Sequence, residues 1–215
     1  MNNRNRAYIP AAGYDAALPL YDPLTTWVGA PARRRILIER GGLRAGQRVL
    51  EVGCGTGELL LAIKRAHPDV EVTGLDPDPL ALERARAKAE RAGVQLRLDR
   101  GLGDALPYAD GSFARALSSF MLHHLDGATQ RRLLAEALRV LAPGGSIHVI
   151  DFAQRQLFGR AAQSAEKLAF DLREVGFSAA QVEPQPRWLL QRIVYASATR
   201  AASARLPRAR SARWP

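Results

Sequence analysis

Several features that mark whole classes of protein are scarce or missing in these 215 residues. There is one cysteine, Cys54, which excludes intramolecular disulfides and zinc sites built from cysteine clusters. No run of about eighteen apolar residues, the length that crosses a bilayer, is present. Residues 1–22 also lack the apolar stretch of a signal peptide. We therefore expect a soluble, cytoplasmic protein with no metal site and no membrane span.

Acidic residues are outnumbered, with 21 against 31 basic ones and a formal net charge of +10. Such an excess raises the question of a nucleic-acid partner. Seven arginines near the two ends account for most of it: Arg4, Arg6, Arg200, Arg205, Arg208, Arg210 and Arg213. The remaining residues carry only +3 of the +10. The charge pattern therefore favours a basic, disordered tail over a nucleic-acid platform.

Short apolar runs alternate with helical patterns from residue 48 onward, which is typical of βαβ units and a mainly parallel sheet. Five runs predict strands, at residues 48–53, 70–76, 94–99, 114–120 and 146–152. Helices are predicted at 58–66, after Asp78 and up to Gly93, and around 133–141 before Pro143-Gly144. Residues 101–112 favour a loop.

The pattern continues with a helix at 162–175 and two β-like stretches at 179–184 and 188–199. Three residues separate those stretches, and so short a connection requires an antiparallel pair. A parallel sheet closed by an antiparallel hairpin follows.

The most specific local pattern is the glycine-rich turn at residues 53–57 (GCGTG), between a predicted strand and a predicted helix. Glycines there allow a tight turn and close approach of the backbone to a ligand. The dinucleotide fingerprint G-x-G-x-x-G requires glycine at position 58, where this chain has Glu58. A Walker A loop requires Gly-Lys-Ser/Thr, which does not follow. The spacing therefore favours a different ligand.

Four segments, in order, resemble the motifs of class I S-adenosylmethionine-dependent methyltransferases. VLEVGCGTGELL resembles the first motif and VTGLDPDPLALERARAKA the second. LPYADGSFARALSSFMLHHL resembles the region of the fourth strand, and LLAEALRVLAPGGSIHVIDF that of the fifth. The LHHL and LPY elements and the leader AYIPAAGYDAALPLYDP are most similar to the branch that includes ubiquinone and menaquinone methyltransferases. The resemblance covers residues 44–198.

This resemblance implies an α/β fold, a Rossmann-like three-layer sandwich. Its mainly parallel seven-stranded sheet would have the order 3-2-1-4-5-7-6, with the last strand antiparallel. Residues 45–200 would form the methyltransferase domain, 1–44 a cap over the substrate site, and 201–215 the basic tail. We expect a monomer or a homodimer.

The resemblance also implies S-adenosylmethionine as cofactor. Gly53 and Gly55 would allow close contact with its methionine part, while Glu51 would order the loop or reach the ammonium group through water. Asp76 has two oxygens to accept the ribose hydroxyls. The implied cofactor residues are Glu51, Gly53, Cys54, Gly55, Thr56, Gly57, Asp76, Pro77, Leu102, Gly103, Asp104 and Ser119.

Three departures from the family pattern affect these expectations. Leu102 stands where the family has an acid, so adenine would be recognised by backbone groups or by Asp104. Ala114-Arg115 replaces an aspartate away from the cofactor, where only a structural cost is expected. The connection after Phe152 is short, so the cover over the substrate would be small or supplied by the N-terminal segment.

The sequence indicates less clearly which residues would contact the molecule that accepts the methyl group. His123 and His124 follow the fourth strand, where a histidine can act as a general base; the alternative is that they cap or pack the adjoining turn. Tyr14, Tyr21 and Trp27 are expected to close the pocket or bind an aromatic acceptor, or else to anchor an N-terminal helix to the sheet.

The resulting hypothesis is methyl transfer to an oxygen, nitrogen or carbon of a small molecule, catalysed mainly by proximity and alignment. Two alternatives remain open: an RNA methyltransferase that uses the basic tail, and a degenerate protein that binds only cofactor or a partner. The glycine spacing disfavours a third, a nicotinamide dehydrogenase.

Overall fold

The computed structural model describes residues 30–152, 165–188 and 191–202. Tyr14, Tyr21 and Trp27, the leader residues expected to face the substrate, lie outside these ranges, as do residues 203–215 of the basic tail. Within the described ranges, no helix has the length and apolar character needed to span a membrane.

The described residues form five α-helices, one short 3-10 helix (Leu122–His124) and seven strands. The helices are α1 (Ala30–Gly41), α2 (Glu58–Ala66), α3 (Pro79–Arg91), α4 (Gly127–Val140) and α5 (Ala165–Val175). The strands are β1 (Arg48–Val52), β2 (Glu71–Asp76), β3 (Arg97–Arg100), β4 (Phe113–Ser119), β5 (Leu141–Phe152), β6 (Ser178–Trp188) and β7 (Gln191–Thr199).

The strands form one sheet in the order β3-β2-β1-β4-β5-β7-β6. The first five are parallel, and β7 runs antiparallel to both β5 and β6. The predicted fold, strand order and antiparallel last strand are confirmed. Because β1 and β4 are neighbours although β2 and β3 lie between them in the chain, the order reverses beside β1. In open α/β sheets such a switch point is where ligands bind.

The two faces of the sheet bury separate apolar layers. One is covered by α1, α2 and α3, whose buried side chains include Leu37, Leu60 and Leu82. The other is covered by α4 and α5 and includes Leu134 and Leu172. These layers fix the sheet, and hence the edge to which the functional loops are attached.

Polar caps define where the helices begin. The side chain of Asp78 accepts hydrogen bonds from the amides of Leu80 and Ala81 at the start of α3, with Pro79 as its first residue. Asp126 caps α4 through the amides of Ala128 and Thr129 in the same way. Such caps satisfy amides that have no partner inside the helix. The predicted Asp78 cap is confirmed.

Three predicted details of the chain path differ from the structure. The connection predicted at residues 185–187 lies inside β6, which extends to Trp188, and β7 begins at Gln191 and not at Trp188. The helix α4 ends at Val140, not at Pro143-Gly144, and β5 begins already at Leu141. Here β5 pairs irregularly with β4, since the register shifts between Phe113 and Arg115. Gly144 has φ +76, so the turn lies within the irregular strand and does not terminate the helix.

Arg200, which the sequence pattern places among the tail arginines, belongs to the folded core. It is buried, and its guanidinium donates to the main-chain carbonyls of Arg139 and Leu141. Its own amide donates to the carbonyl of Gly145. The position of Arg200 in the sequence does not indicate this burial. The burial is possible because one guanidinium can donate hydrogen bonds to several carbonyls at a strand end.

Arg115, the departure in strand β4, has a contact of its own. Its Nε donates to the carbonyl of Gly41 at 2.7 Å, at the last residue of α1. A cation at a helix C-terminus is favourable because the last carbonyls have no partner within the helix. The substitution therefore joins α1 to the sheet.

Candidate cofactor and acceptor site

The predicted cofactor residues and both histidines within the described ranges lie at the carboxyl ends of β1 to β4 or directly after them. Parallel strands bring these ends to one edge of the sheet. The glycine loop follows β1, Asp76 ends β2, residues 101–104 follow β3, and the histidines follow β4. The fold therefore collects these loops into one candidate site.

The glycine loop is held by main-chain hydrogen bonds to the end of β2. The amides of Gly53 and Cys54 both donate to the carbonyl of Leu75, at 2.8 and 3.1 Å. The amide of Gly55 donates to Oδ2 of Asp76 at 2.8 Å, and the amide of Asp78 donates to Oδ1 of the same carboxylate at 2.9 Å. Asp76 therefore shapes the loop and keeps lone pairs for a ligand, since a carboxylate has about four acceptor positions.

Glycine is required at several positions of the loop for different reasons. Gly53 has φ +76, and a Cβ there would lie 2.3 Å from Cγ of Met121. At Gly57, with φ +77, a Cβ would lie 2.9 Å from that of Ala85. Gly55 has φ +49, but no atom of the described residues lies within 4 Å of its Cβ position. The loop thus opens at Gly55, where a ligand can contact the backbone.

Three acids are buried around this opening: Glu51, Asp76 and Asp78. Burial raises the pKa of Glu51 well above its usual range, and raises that of Asp76 against the opposing effect of its two amide donors. Among the described residues, Oε2 of Glu51 and Oδ2 of Asp78 have no hydrogen-bond partner. Buried polar oxygens are usually paired. These therefore fit a ligand that carries positive charge and hydrogen-bond donors.

The other two side chains of the loop contact neighbouring elements. Cys54 is buried, and its Sγ would lie 2.7 Å from a Cβ on Gly74, which shows how closely it packs on β2. The hydroxyl of Thr56 accepts a hydrogen bond from Nζ of Lys88 on α3 at 3.0 Å. Their predicted contacts with a cofactor are therefore left to their main-chain atoms.

The loop after β3 contains no helix, in agreement with the sequence. The carboxylate of Asp104 lies 3.0 Å from a guanidinium nitrogen of Arg132 on α4. Gly103 packs closely, since a Cβ there would lie 2.6 Å from Cδ1 of Leu133. Leu102 is half-buried, and its apolar side chain suits the flat face of a base.

Pro77, which follows β2, contacts the end of β3. The carbonyl of Pro77 accepts a hydrogen bond from Nε of Arg100 at 3.2 Å.

His123 forms a close pair with Asp151 at the end of β5. Its Nδ1 lies 2.6 Å from Oδ1 of Asp151, and its amide donates to Oδ2 at 3.2 Å. Both side chains are largely shielded from solvent. A carboxylate at Nδ1 favours the tautomer that carries the proton there, which leaves Nε2 as the acceptor nitrogen. The ring centroid of His124 lies 4.0 Å from that of His123, with the two ring planes tilted by 39°.

Aromatic rings surround this pair. Phe152 lies 5.1 Å from the ring of His123 and 5.0 Å from that of Phe120. Phe120 has φ +52, a conformation that is rare for a bulky residue and is found most often at functional sites. Ser118 is buried, with no partner for its hydroxyl among the described residues, while Ser119 is half-buried beside it.

Asp151, Phe120 and Phe152 are not among the site residues that the sequence predicts. Asp151 could have been found, because it is an acid near the carboxyl end of a predicted parallel strand. The unusual backbone of Phe120 left no signal. Within the described ranges, no group of three or more side chains is arranged to hold a metal ion.

Comparison with known proteins finds a family that matches part of the chain. Residues 49–145 match the family described as methyltransferase domain. The chain resembles the class I S-adenosylmethionine-dependent methyltransferases, as predicted from its motifs.

Two relatives of known name are methyltransferases. The chain is 37% identical to the demethylmenaquinone methyltransferase of Thermus thermophilus over 137 residues, which cover 62% of this chain and 61% of the relative. It is 39% identical to the 27-O-demethylrifamycin SV methyltransferase of Amycolatopsis mediterranei over 112 residues, or 51% of this chain and 40% of the relative. The chain thus spans about two fifths to three fifths of these relatives.

The fold extends beyond the part that matches in sequence. A SAM-dependent methyltransferase from Aquifex aeolicus superposes with a TM-score of 0.66 at 18% identity, over 78% of this chain and 89% of that one. The chain therefore shares the Rossmann-like fold of that protein over most of its length.

Proposed function

We propose that this protein is an S-adenosylmethionine-dependent methyltransferase that acts on a small-molecule acceptor. The observation that carries the proposal is the opening at Gly55, bordered by the buried acids Glu51 and Asp76. S-adenosylmethionine has an ammonium group, a sulfonium and a ribose diol, so it supplies the positive charge and the donors that this opening lacks. The names of the chain's relatives support methyl transfer as the reaction.

Each part of the site has a role in binding. Asp76 would accept the ribose hydroxyls with the lone pairs that its two amide donors leave unused. Glu51 would face the ammonium group, Leu102 would lie against adenine, and Ser119 would contact the methionine part through its backbone. Because Asp104 already pairs with Arg132, we assign recognition of adenine to main-chain groups of residues 101–104.

When bound, the cofactor supplies a methyl group on a positively charged sulfur, which is a good leaving group. The protein then has to align the acceptor with that methyl and exclude water, so no nucleophilic side chain is needed. An acceptor oxygen or carbon must still lose a proton. We assign this step to Nε2 of His123, with Asp151 holding the ring and stabilising the protonated form.

The acceptor is proposed to be a flat, partly apolar molecule. The rings of Phe120, Phe152 and His123 offer such a molecule a surface beside the base. Tyr14, Tyr21 and Trp27 stay predictions as further contacts. The helix that follows this leader starts near the site, since Arg34 in its second turn lies 3.7 Å from Glu58, the residue directly after the glycine loop.

The proposal is tested by binding and transfer together. Calorimetry should show binding of S-adenosylmethionine by the intact chain. When the cofactor carries a labelled methyl group, the label should appear in small molecules extracted from the organism that makes the protein. Asp76→Ala should lose at least about tenfold in affinity, which equals about 1.4 kcal/mol. Asp69→Ala, an exposed acid at the opposite edge of the sheet, should bind as the unchanged chain does. Binding without transfer to any small molecule, or label found only in RNA, would overturn the choice of acceptor.

A further inference from the structure

Lys88, in the last turn of α3, reaches the far end of the glycine loop. Its Nζ donates to the hydroxyl of Thr56 at 3.0 Å and lies 2.7 Å from Oε1 of Glu58, the first residue of α2. Ala85, three positions earlier and on the same side of α3, packs against Gly57, where a Cβ would lie 2.9 Å from its own. Three consecutive residues at the end of the loop therefore contact one helix.

The junction between the loop and α2 has no side-chain cap at its first position. Gly57 is the N-cap of α2, with φ +77, and it has no side chain that could accept from the first amides of the helix. A residue with a short polar side chain usually holds this position, because its oxygen pairs amides that have no partner within the helix. The hydrogen bonds that join the loop to β2 come from the amides of residues 53–55. The end of the loop is therefore placed by its contacts with α3.

The helix α3 also touches the other half of the proposed cofactor site. It begins directly after Asp78, whose amide donates to Oδ1 of Asp76 at 2.9 Å. One end of α3 thus lies beside the proposed ribose acceptor, and its last turn lies beside the glycine loop. Because a helix is a rigid support, the contact of Lys88 helps to fix the separation between the end of the loop and Asp76.

The hydrogen bond between Lys88 and Thr56 is shielded from water. The side chain of Lys88 is 20% exposed, and Thr56 is 4% exposed. A hydrogen bond from a charged donor is stronger than one between neutral groups, and shielded charges are screened less by salt. Loss of the ammonium group would therefore remove a contact of substantial strength from the end of the loop.

We propose that Lys88 is a positioning residue for the cofactor. Through the hydroxyl of Thr56 it holds the end of the glycine loop at the separation from Asp76 that the cofactor requires, without touching the cofactor itself. This inference rests on the proposed function, because it assumes that the loop and Asp76 bind the same molecule. A loop that is already placed loses little conformational entropy on binding. Without the ammonium group, binding has to order the end of the loop, and affinity falls.

The test is the affinity for S-adenosylhomocysteine, measured by calorimetry. Lys88→Met keeps an unbranched side chain of similar length without the charge, and should weaken binding about fivefold or more. Thr56→Val removes the accepting hydroxyl with little change of shape and should weaken binding to a similar extent. The two losses should not add, because both variants remove the same hydrogen bond. In the Thr56→Val background, Lys88→Met should therefore change affinity by less than about twofold.

Lys64→Met is the matched control for loss of a hydrogen-bonded lysine. Lys64 on α2 donates to the carbonyls of Pro68 and Val70, directly before β2 and away from the glycine loop. Its replacement removes the same charge and should lower the temperature of unfolding, while affinity stays that of the unchanged chain. Thermal unfolding of every variant separates a loss of stability from a loss of affinity.

A second pair of variants serves if Lys88→Met does not fold. Thr56→Ser keeps the accepting hydroxyl and should bind more tightly than Thr56→Val, by about the factor expected for Lys88→Met. Equal affinity of the serine and valine variants would contradict the proposal.

Two further results have different meanings. If the intact chain binds the probe and Lys88→Met binds as Lys64→Met does, the role of Lys88 is wrong. It is also wrong if Lys88→Met loses as much affinity in the Thr56→Val background as in the unchanged chain. If the intact chain does not bind S-adenosylhomocysteine, the proposed function itself fails.

Discussion

Two loops at the same edge of the sheet are held in place by different means. The glycine loop after β1 is fixed by its own backbone, through amides of residues 53–55 and three left-handed glycines. The loop at 101–112 after β3 is fixed by side chains of α4. Glu136 accepts from the amide of Leu106, and Arg139 donates to the carbonyls of Leu106 and Tyr108 and to Asp110.

The difference determines how a substitution acts on each loop. In the first, a change of residue type alters the backbone directly. In the second, the residues that set the conformation lie about thirty positions further along the chain. One loop is therefore encoded locally and the other by a distant helix.

The largest effect is expected at Gly53. In Gly53→Ala, the positive φ costs about 1–2 kcal/mol, and the contact with Met121 adds about 1–3 kcal/mol of overpacking. Chemical denaturation should show the loss, and binding of cofactor should fall with it. A free energy of unfolding within about 0.5 kcal/mol of that of the unchanged chain would show that the loop tolerates a Cβ. The glycine loop would then not differ from the loop at 101–112 in its sensitivity to residue type.

Gly46→Ala is the control for backbone strain alone. Gly46 has φ +74, and no atom of the described residues lies within 4 Å of its Cβ position. It should therefore lose only the strain energy and keep cofactor binding.

An intermediate effect is expected for Arg139→Ala. The change removes the donor from the carbonyls of Leu106 and Tyr108 and from the carboxylate of Asp110, while Glu136 keeps, among the described residues, only the amide of Leu106. Unpaired groups of this kind cost about 1–3 kcal/mol. Hydrogen exchange should speed up at residues 101–112 and not in the glycine loop. The exposed Arg91 at the end of α3 offers the control, Arg91→Ala; equal exchange in the two variants would contradict the role of α4.

The smallest effect is expected for Arg132→Ala. Its side chain is 49% exposed while that of Asp104 is 4% exposed, so this half-exposed ion pair contributes about 1 kcal/mol, the upper end of the range for surface pairs. Since Glu136 and Arg139 still hold the loop, affinity for S-adenosylhomocysteine should change by less than about threefold, or roughly 0.6 kcal/mol. A loss as large as that of Asp76→Ala would show that the pair with Asp104 is part of the site.

The same contrast explains what could be predicted from the sequence. The bounds of α2, the cap at Asp78 and the strand order follow from local patterns and motifs, and the structure confirms them. The irregular start of β5 and the burial of Arg200 depend on pairing between distant segments. The contact between His123 and Asp151 joins residues 28 positions apart, so neither residue alone indicates it.

The shared carbonyl of Leu75 has a consequence for the way a ligand is received. Because it accepts both amides at the start of the glycine loop, those amides are part of the hydrogen-bond network of the sheet. The loop therefore has its final shape before any ligand arrives, and little conformational entropy is lost there on association. Whatever ordering accompanies binding must take place in other segments around the site.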